Sequence, residues 1–426
     1  MKVLLVSANT ELINMPVLPL GMSCVAKAAE DAGYDVTQIN LMAKQDALTG
    51  LIETINECAP DVIGISVRNI DDQVSTNTRF LLEPVKAIVD ACRSNSDATM
   101  VLGGAGYSIF PHHTLEYLGV DMGIQGEGER SFPLLLDALK NGSDPSRIPG
   151  LFDRQRGVQN SNKPVMDIDG LKLPEPDKQI WSLDDAKDQP IWLPIQTRRG
   201  CPLNCSYCST PTIEGRIIRK RRIDTIIDAL KAYSSAGFDH YFFVDNTFNV
   251  PSGYAKALCE KISASGLKIK WRGIFHPWKT DEALIAKMAA SGCSEISLGF
   301  ESGSDVILRK MNKKFDVKDV KRVSEMLKSY GIGVMGFLLL GSPGETRQTV
   351  LESFEFVDSL KLNAVKVTVG VRIYPYTALA DHAKQAGMIA TDDNLLSPKF
   401  YIEDGMDAWV RVTVEDFVKD RPNWIY

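Results

Sequence analysis

Short apolar runs alternate with segments of helical spacing in two separate series, one ending near Asn141 and one beginning after Gln189. This constrains the fold most, because parallel strands need a crossover between them and a helix supplies it. In the first series Val3–Ser7, Asp35–Asn40, Asp61–Val67, Thr99–Gly104 and Met122–Gln125 read as buried strands. Met22–Ala32, Leu48–Glu57, Leu81–Cys92 and Ser131–Leu139 carry the helical period. In the second series strands fall at Trp192–Thr197, Tyr241–Asp245, Lys268–Gly273, Glu295–Phe300, Gly333–Leu340 and Ala364–Val371. Helices are expected at Thr225–Ser234, Tyr254–Ser263, Glu282–Ala290, Val317–Ser329 and Thr349–Ser359. The expected fold class is α/β: a parallel sheet covered on both faces, then six βα units forming a partial barrel. Between the series Pro145, Pro149, Pro164, Pro174, Pro176 and Pro190 punctuate a polar stretch, read as a linker with a short hairpin. The division is thus 1–142, 143–190, 191–390 and a tail of mixed pattern, 391–426.

A length of 426 residues suits two such domains, and 44% hydrophobic residues suffice for two cores. The 48 basic and 54 acidic residues leave a net charge of −6, which argues against a nucleic-acid surface apart from one basic run, Arg216–Arg222. No stretch reaches the roughly 18 apolar residues of a membrane span, and the N-terminus reads as a strand instead of a signal peptide. Eight cysteines without a secretory signal point to a reducing compartment, with the cytoplasm as the expectation.

Three of those cysteines, Cys201, Cys205 and Cys208, lie within eight residues on a loop that follows a strand. Thiolates are the soft ligands of zinc and of iron–sulfur clusters. A structural zinc site needs a fourth ligand, and the five histidines (His112, His113, His240, His276 and His382) are all distant in sequence. A distant histidine completing a zinc site stays open as one reading. The other is a four-iron cluster with one iron left without a protein ligand. Cys24, Cys58, Cys92, Cys259 and Cys293 are scattered singly and read as small core residues.

The CxxxCxxC spacing, with the aromatic Tyr207 before the last cysteine, resembles the signature of the radical S-adenosylmethionine superfamily. That resemblance implies a [4Fe-4S] cluster on Cys201, Cys205 and Cys208 whose open iron is chelated by S-adenosylmethionine. It further implies that one electron breaks the sulfonium C–S bond, giving methionine and a 5′-deoxyadenosyl radical. Four later segments sit where that family places cofactor contacts. Asp245 and Asn246 end the second strand, facing an amino group or forming an Asx turn. Glu301 and Ser302 end the fourth, with Glu301 on ribose or buried structurally. Arg309 reaches the carboxylate or lies on the surface. Gly336 and Leu338 line the adenine, and Arg372 and Tyr374 follow the sixth strand.

In the first half Pro19-Leu20-Gly21, Gly103-Gly104 and Gly126-Glu127-Gly128-Glu129 follow in order at strand ends. Within that superfamily this resembles the class with a Rossmann-like cobalamin-binding domain, followed by a TIM-type (β/α)6 barrel. The implied cobalamin contacts are these residues with Ser66, Arg68 and Asn69; each glycine alone reads equally as a tight turn. The Asp-x-His-x-x-Gly motif that supplies a lower cobalt ligand elsewhere is missing, so cobalamin would bind without histidine, with Leu12, Arg68 or Asn69 over that face. The expected activity is methylation of an unactivated carbon of a small molecule, fed by an electron donor such as flavodoxin or ferredoxin. Two other readings stay open: the same domains in cyclisation or C–C coupling, and a non-catalytic corrinoid or metal-binding protein.

Overall fold

The alternation resolves into two parallel sheets in a computed structural model describing residues 1–11, 18–43, 46–161, 163–176 and 191–426. Leu12 and the linker around Pro190 lie outside the described residues. The first half runs β1 (Lys2–Ser7), α1 (Leu20–Asp31), β2 (Asp35–Asn40), α2 (Ala47–Cys58), β3 (Val62–Ser66), α3 (Leu82–Asn95) and β4 (Thr99–Gly103). It continues with α4 (Ala105–Ile109), α5 (Pro111–Leu118), β5 (Met122–Ile124) and α6 (Gly128–Asn141). The strand order β2-β1-β3-β4-β5 is that of a doubly wound sheet with its switch point between β1 and β3. The hairpin β6 (Leu151–Asp153) and β7 (Val158–Gln159) extends this sheet antiparallel beyond β5. Alternate side chains serve opposite cores: Val3, Leu5 and Val101 pack toward α1 and α6, while Leu4, Val6, Ile63 and Ile65 pack toward α2 and α3. The helices α4 and α5 carry no strong period and were not expected.

The second half contributes β8 (Leu193–Ile195), the short β9 (Arg198–Arg199) and β10 (Arg219–Lys220), then β11 (His240–Phe243), β12 (Lys270–Phe275), β13 (Cys293–Glu301), β14 (Gly333–Leu340) and β15 (Ala364–Val369). After β16 (Val371–Arg372) and β17 (Phe400–Tyr401), the tail adds a helix over Asp407–Val418 and β18 (Trp424–Ile425). The main sheet runs β18-β15-β14-β13-β12-β11-β8 and is parallel throughout. The six expected βα strands are present, and the tail supplies a seventh that the sequence pattern did not show. On each strand one set of residues, such as Tyr241, Trp271, Leu298 and Val334, is buried beneath the helices. The alternate set, including Phe242, Arg272, Glu295, Phe337 and Lys366, is only half buried.

Buried ion pairs join the halves. Arg199 pairs with Glu129 at 2.5 Å and with Glu127 at 3.4 Å, and Arg219 also holds Glu127. On the other side of the interface Arg372 pairs with Asp71 at 2.8 Å. Both hydrophobic cores continue across the interface: Leu193 and Tyr241 join the α1–α6 layer, and Val371 and Leu379 join the opposite one. Among the described residues no helix is long and apolar enough to cross a membrane.

Candidate active site between the two halves

The carboxyl ends of β1, β3, β4 and β5 open onto a cavity of about 350 Å3 that the second half closes. Its lining includes Pro19, Leu20, Gly21, Ser66, Arg68, Gly103, Gly104, Gly126, Glu127 and Gly128, so the strand-end residues chosen from sequence converge. Gln196, Arg199, Glu214 and Val244 of the barrel complete it. Asn69 does not line it; its amide donates to Asn9 at 3.4 Å in an adjoining crevice. A Cβ on Gly21 would meet no atom within 4 Å, and one on Gly103 only a carbonyl at 3.9 Å, so any side chain there would occupy the cavity. Gly104, at φ +99°, has no such freedom, because a Cβ would lie 2.5 Å from the Val67 carbonyl oxygen. Ser108, which the sequence reading passed over, accepts a hydrogen bond from Gly126 N at 2.8 Å and ties two of these loops together.

The cavity suits a large, mainly apolar ligand that carries hydrogen-bond acceptors. Leu5, Val101, Ile124 and Phe132 form its walls. At its rim the N-termini of α1 and α6 have no side-chain cap; in α1 the Leu20 N–H turns back to the Leu18 carbonyl at 2.9 Å, so the later N–H groups of the first turn are the ones left for a ligand. Arg68 lies against it with no hydrogen bond or ion pair to another described residue, and burial lowers its pKa. Among the described residues lining it there is no histidine. These features fit a corrinoid held without a histidine ligand. Glu127 is a partial exception: its carboxylate is engaged by Arg199, Arg219 and the Val165 N–H, so its side chain latches the halves together.

The cysteine loop leaves β9 through Gly200, whose φ of +88° and contact with the Ile217 carbonyl admit no side chain. Cys201 is buried, Cys205 and Cys208 are half buried, and all three are free thiols. Burial pushes Cys201 up to about 11 and also raises Cys205, the latter opposed by the Lys313 charge. A single tetrahedral zinc would need its sulfurs about 4 Å apart. Among the described residues the one set of three potential ligand atoms within 4.8 Å of one another is His112, His113 and Glu116, on α5 and outside the cavity lining. The three thiols do not form such a set. The Ser206 N–H donates to Met311 O at 3.0 Å and Leu379 N to Ser206 O at 2.9 Å, fixing the loop against two later barrel segments.

The other barrel residues divide. Tyr207 is held by Lys313, whose ammonium lies 3.0 Å from the phenol oxygen and 3.4 Å from Glu301. Burial disfavours the Lys313 charge, but Tyr207, Glu301 and Cys205 outweigh it and keep the ammonium protonated. Glu301 itself sits at φ +70°, where the β13–β14 register shifts. Lys313 was not singled out in the sequence; Arg309, read either as reaching the carboxylate or as lying on the surface, is exposed on its short helix. Asn246 donates to Glu214 at 2.6 Å, at the edge of the cavity.

Asp245 is fully buried and fully engaged. It accepts from Thr197 N at 2.7 Å and Arg198 N at 3.0 Å, with the Arg198 guanidinium at 3.2 Å. It therefore shapes the start of the cysteine loop and has no oxygen left for an amino group. Ser302 bonds Ser353 at 3.2 Å and the Ser304 N–H at 3.1 Å, a turn contact. Gly336 and Leu338 belong to the buried set of β14; a Cβ on Gly336 would strike Leu362 and Phe300. Their alternates Met335, Phe337 and Leu339 lie on the half-buried face instead. Arg372 is consumed by Asp71 and by the Ile373 and Leu395 carbonyls, and stacks on Tyr374 at 4.9 Å. Tyr374 remains close enough to Cys208 to feel its charge.

A three-thiol loop on an open parallel barrel, beside a chamber that the same half of the chain closes over the strand ends of a doubly wound sheet, defines a two-domain metalloprotein. The chain belongs to the radical SAM superfamily, in the class that also carries a B12-binding domain. The family described as Radical SAM superfamily matches residues 195–357, and B12 binding domain matches residues 7–136. Its cofactors are accordingly a [4Fe-4S] cluster, S-adenosylmethionine and cobalamin. The sequence is 26% identical to an uncharacterized methyltransferase of Pyrococcus horikoshii, over 92% of this chain and 85% of that protein. It is 23% identical to tryptophan 2-C-methyltransferase of Streptomyces laurentii, over 87% and 73%. The fold is shared with the radical S-adenosylmethionine methyltransferase TsrM of Kitasatospora setae, solved with cobalamin and a [4Fe-4S] cluster (TM-score 0.85, 22% identity, 100% of this chain and 90% of that one).

Proposed function

We propose that the chain is a cobalamin-dependent radical S-adenosylmethionine methyltransferase acting on an unactivated carbon of a small molecule. The observation that carries this reading is the shared chamber: the glycine-rich strand ends of the first half and Gln196, Arg199, Glu214 and Val244 of the barrel line one space, and Arg199 stands two residues before the first cysteine of the loop. Relatives named as methyltransferases support the reaction type, and a neighbour solved with tryptophan as substrate supports a small-molecule acceptor. The proposed division is 1–142 for cobalamin, 143–190 as connection, 191–390 for the barrel and 391–426 as tail.

The cluster supplies an electron to S-adenosylmethionine, and the corrinoid supplies a methyl group to carbon. The chain's own residues do the rest. Cys201, Cys205 and Cys208 would hold the cluster through their thiolates. Lys313, set between Tyr207 and Glu301, presents a cation beside the cluster loop, suited to a carboxylate. Asn246 and Glu214 offer polar groups where the two halves meet. Gly21, Gly103, Gly104 and Gly126 let backbone approach the corrinoid closely, and Arg68 supplies a cation with no hydrogen bond or ion pair to another described residue. The buried ion pairs Arg199–Glu129 and Arg372–Asp71 hold the reacting groups in register, which is the main service a protein can render here. The expected location is the cytoplasm, where a reduced carrier protein can reach the cluster.

The test is anaerobic reconstitution with methyl-labelled S-adenosylmethionine and a candidate substrate. Label in the product together with bound corrinoid is expected. Release of 5′-deoxyadenosine with no label in any product would move the chain to another radical transformation. Unchanged iron content and unchanged S-adenosylmethionine cleavage in Cys201→Ala would overturn the whole reading.

A further inference from the structure

The exposed basic residues around the cysteine loop have no role in the chemistry above. The loop is close to the surface: Pro202 and Asn204, between the first two cysteines, are both exposed. Two segments flank Asn204 and bond to it. Arg216 donates to its side-chain oxygen at 2.7 Å, and Asn312 donates to its carbonyl at 2.6 Å. Lys314 in turn reaches Asn312 at 3.3 Å. Residues 309–314 read Arg-Lys-Met-Asn-Lys-Lys and residues 216–222 read Arg-Ile-Ile-Arg-Lys-Arg-Arg, with no acid in either run, in a chain of net charge −6.

Most of the second run is consumed internally. Arg219 and Arg221 are buried, and Arg222 is paired with Asp169. Arg216, Arg309, Lys310 and Lys314 remain exposed, and of these Arg216 and Lys314 make only neutral hydrogen bonds within the rim. The exposed Ile217, 61% accessible, gives the rim an apolar point. Asp305 and Asp316 are turned to the Val317 and Asp319 N–H groups, and Glu403, near Lys310, accepts from Gly344 N.

We infer that this rim is the docking surface for an acidic one-electron carrier protein. The inference rests on the reading of Cys201, Cys205 and Cys208 as cluster ligands. Each reductive cleavage consumes one electron, which passes from the reduced carrier to the cluster and leaves the carrier oxidised by one. The loop is exposed at Pro202 and Asn204, which brings a carrier docked on this rim next to the residues that would hold the cluster. Redox encounters of this kind are small and short-lived, and charge complementarity acts mainly on their association rate. A positive collar in an otherwise negative protein orients an acidic carrier onto the face where the cysteine loop is exposed.

The experiment compares wild type with Lys310→Glu/Lys314→Glu and with a control, Lys231→Glu/Lys268→Glu, which changes the net charge equally away from the loop. Each reconstituted protein is assayed for 5′-deoxyadenosine formation with reduced flavodoxin and, separately, with saturating dithionite. At low ionic strength the rim variant should turn over about tenfold more slowly with flavodoxin, with the gap closing at high salt. Its dithionite rate and the control's rates should match wild type. Equal flavodoxin rates in all three proteins would overturn the surface while leaving the cluster reading intact. Equal slowing with dithionite would also overturn it, since the defect would then lie in the cluster. Loss of affinity for duplex RNA with an unchanged flavodoxin rate would assign the rim to nucleic acid instead.

Discussion

At the scale of single residues, the loop chemistry turns on one buried cation. Lys313 has a side chain 3% exposed, pairs with Glu301 and feels the charge of Cys205. Lys313→Met should cost about 3 kcal/mol by leaving Glu301 without its partner. It should also weaken S-adenosylmethionine binding, measured by equilibrium dialysis, whereas Lys313→Arg should recover part of both. A second buried carboxylate, Glu345, accepts the Gly341 and Ser342 N–H groups with one oxygen, while its other oxygen has no partner among the described residues. Burial first, and the nearby Glu403 charge, outweigh those hydrogen bonds and raise its pKa from 4.5 to about 7. The folded state therefore binds more protons than the unfolded chain between those values, so stability falls as pH rises through that window, by about 3 kcal/mol in all. Glu345→Gln, which resembles the protonated acid, should flatten the fall in melting temperature between pH 5 and pH 7. An unchanged slope would show that Glu345 does not titrate there.

At the scale of elements, what could be read in advance followed from periodicity, and what could not followed from tertiary contact. Asp35–Asn40, Glu282–Ala290, Val317–Ser329 and Gly333–Leu340 fall where the sequence pattern puts them, because each spends one face on a core. The same period names two faces of β14 without saying which turns inward: Gly336 and Leu338, read as lining the adenine, are buried, and Phe337 and Leu339 are half buried. Arg309 and Lys313 differ in their role because the helix stops at Lys310 and Asn312 turns at φ +57°, redirecting the chain inward. Asp245 carries the residue type of a ligand group, and only its neighbours Thr197 and Arg198 reveal that it is spent. The two-residue strand β18 is too short to have a period at all. Its Trp424 packs edge-on to Phe417 at 5.0 Å and to Phe354 at 6.1 Å, closing the barrel edge against the helix over Asp407–Val418. Trp424→Ala should therefore cost about 3–5 kcal/mol in urea unfolding, a core-sized penalty from a residue two places from the end of the sequence.

At the scale of the whole molecule, a chamber shared by two halves requires that they keep their relative position as cofactors bind and leave. Hydrophobic contact alone permits sliding, whereas a buried ion pair has one register. Arg372 and Asp71, 301 residues apart, are 3% and 0% exposed and lie 2.8 Å from each other. Arg372→Leu leaves a buried carboxylate uncompensated and should cost about 3–5 kcal/mol. Asp71→Leu should cost less, because the Ile373 and Leu395 carbonyls still accept from the guanidinium. Replacing both with leucine removes the desolvation penalty along with the attraction, so the double variant should be more stable than Arg372→Leu alone, with a coupling of at least ~2 kcal/mol in the cycle. If the pair serves register more than stability, the double variant will fold and bind each cofactor separately yet turn over slowly, because the chamber's two walls are no longer fixed to each other. Additive losses in the cycle would mean that the two residues act independently and that the register is kept by the Arg199–Glu129 side of the interface.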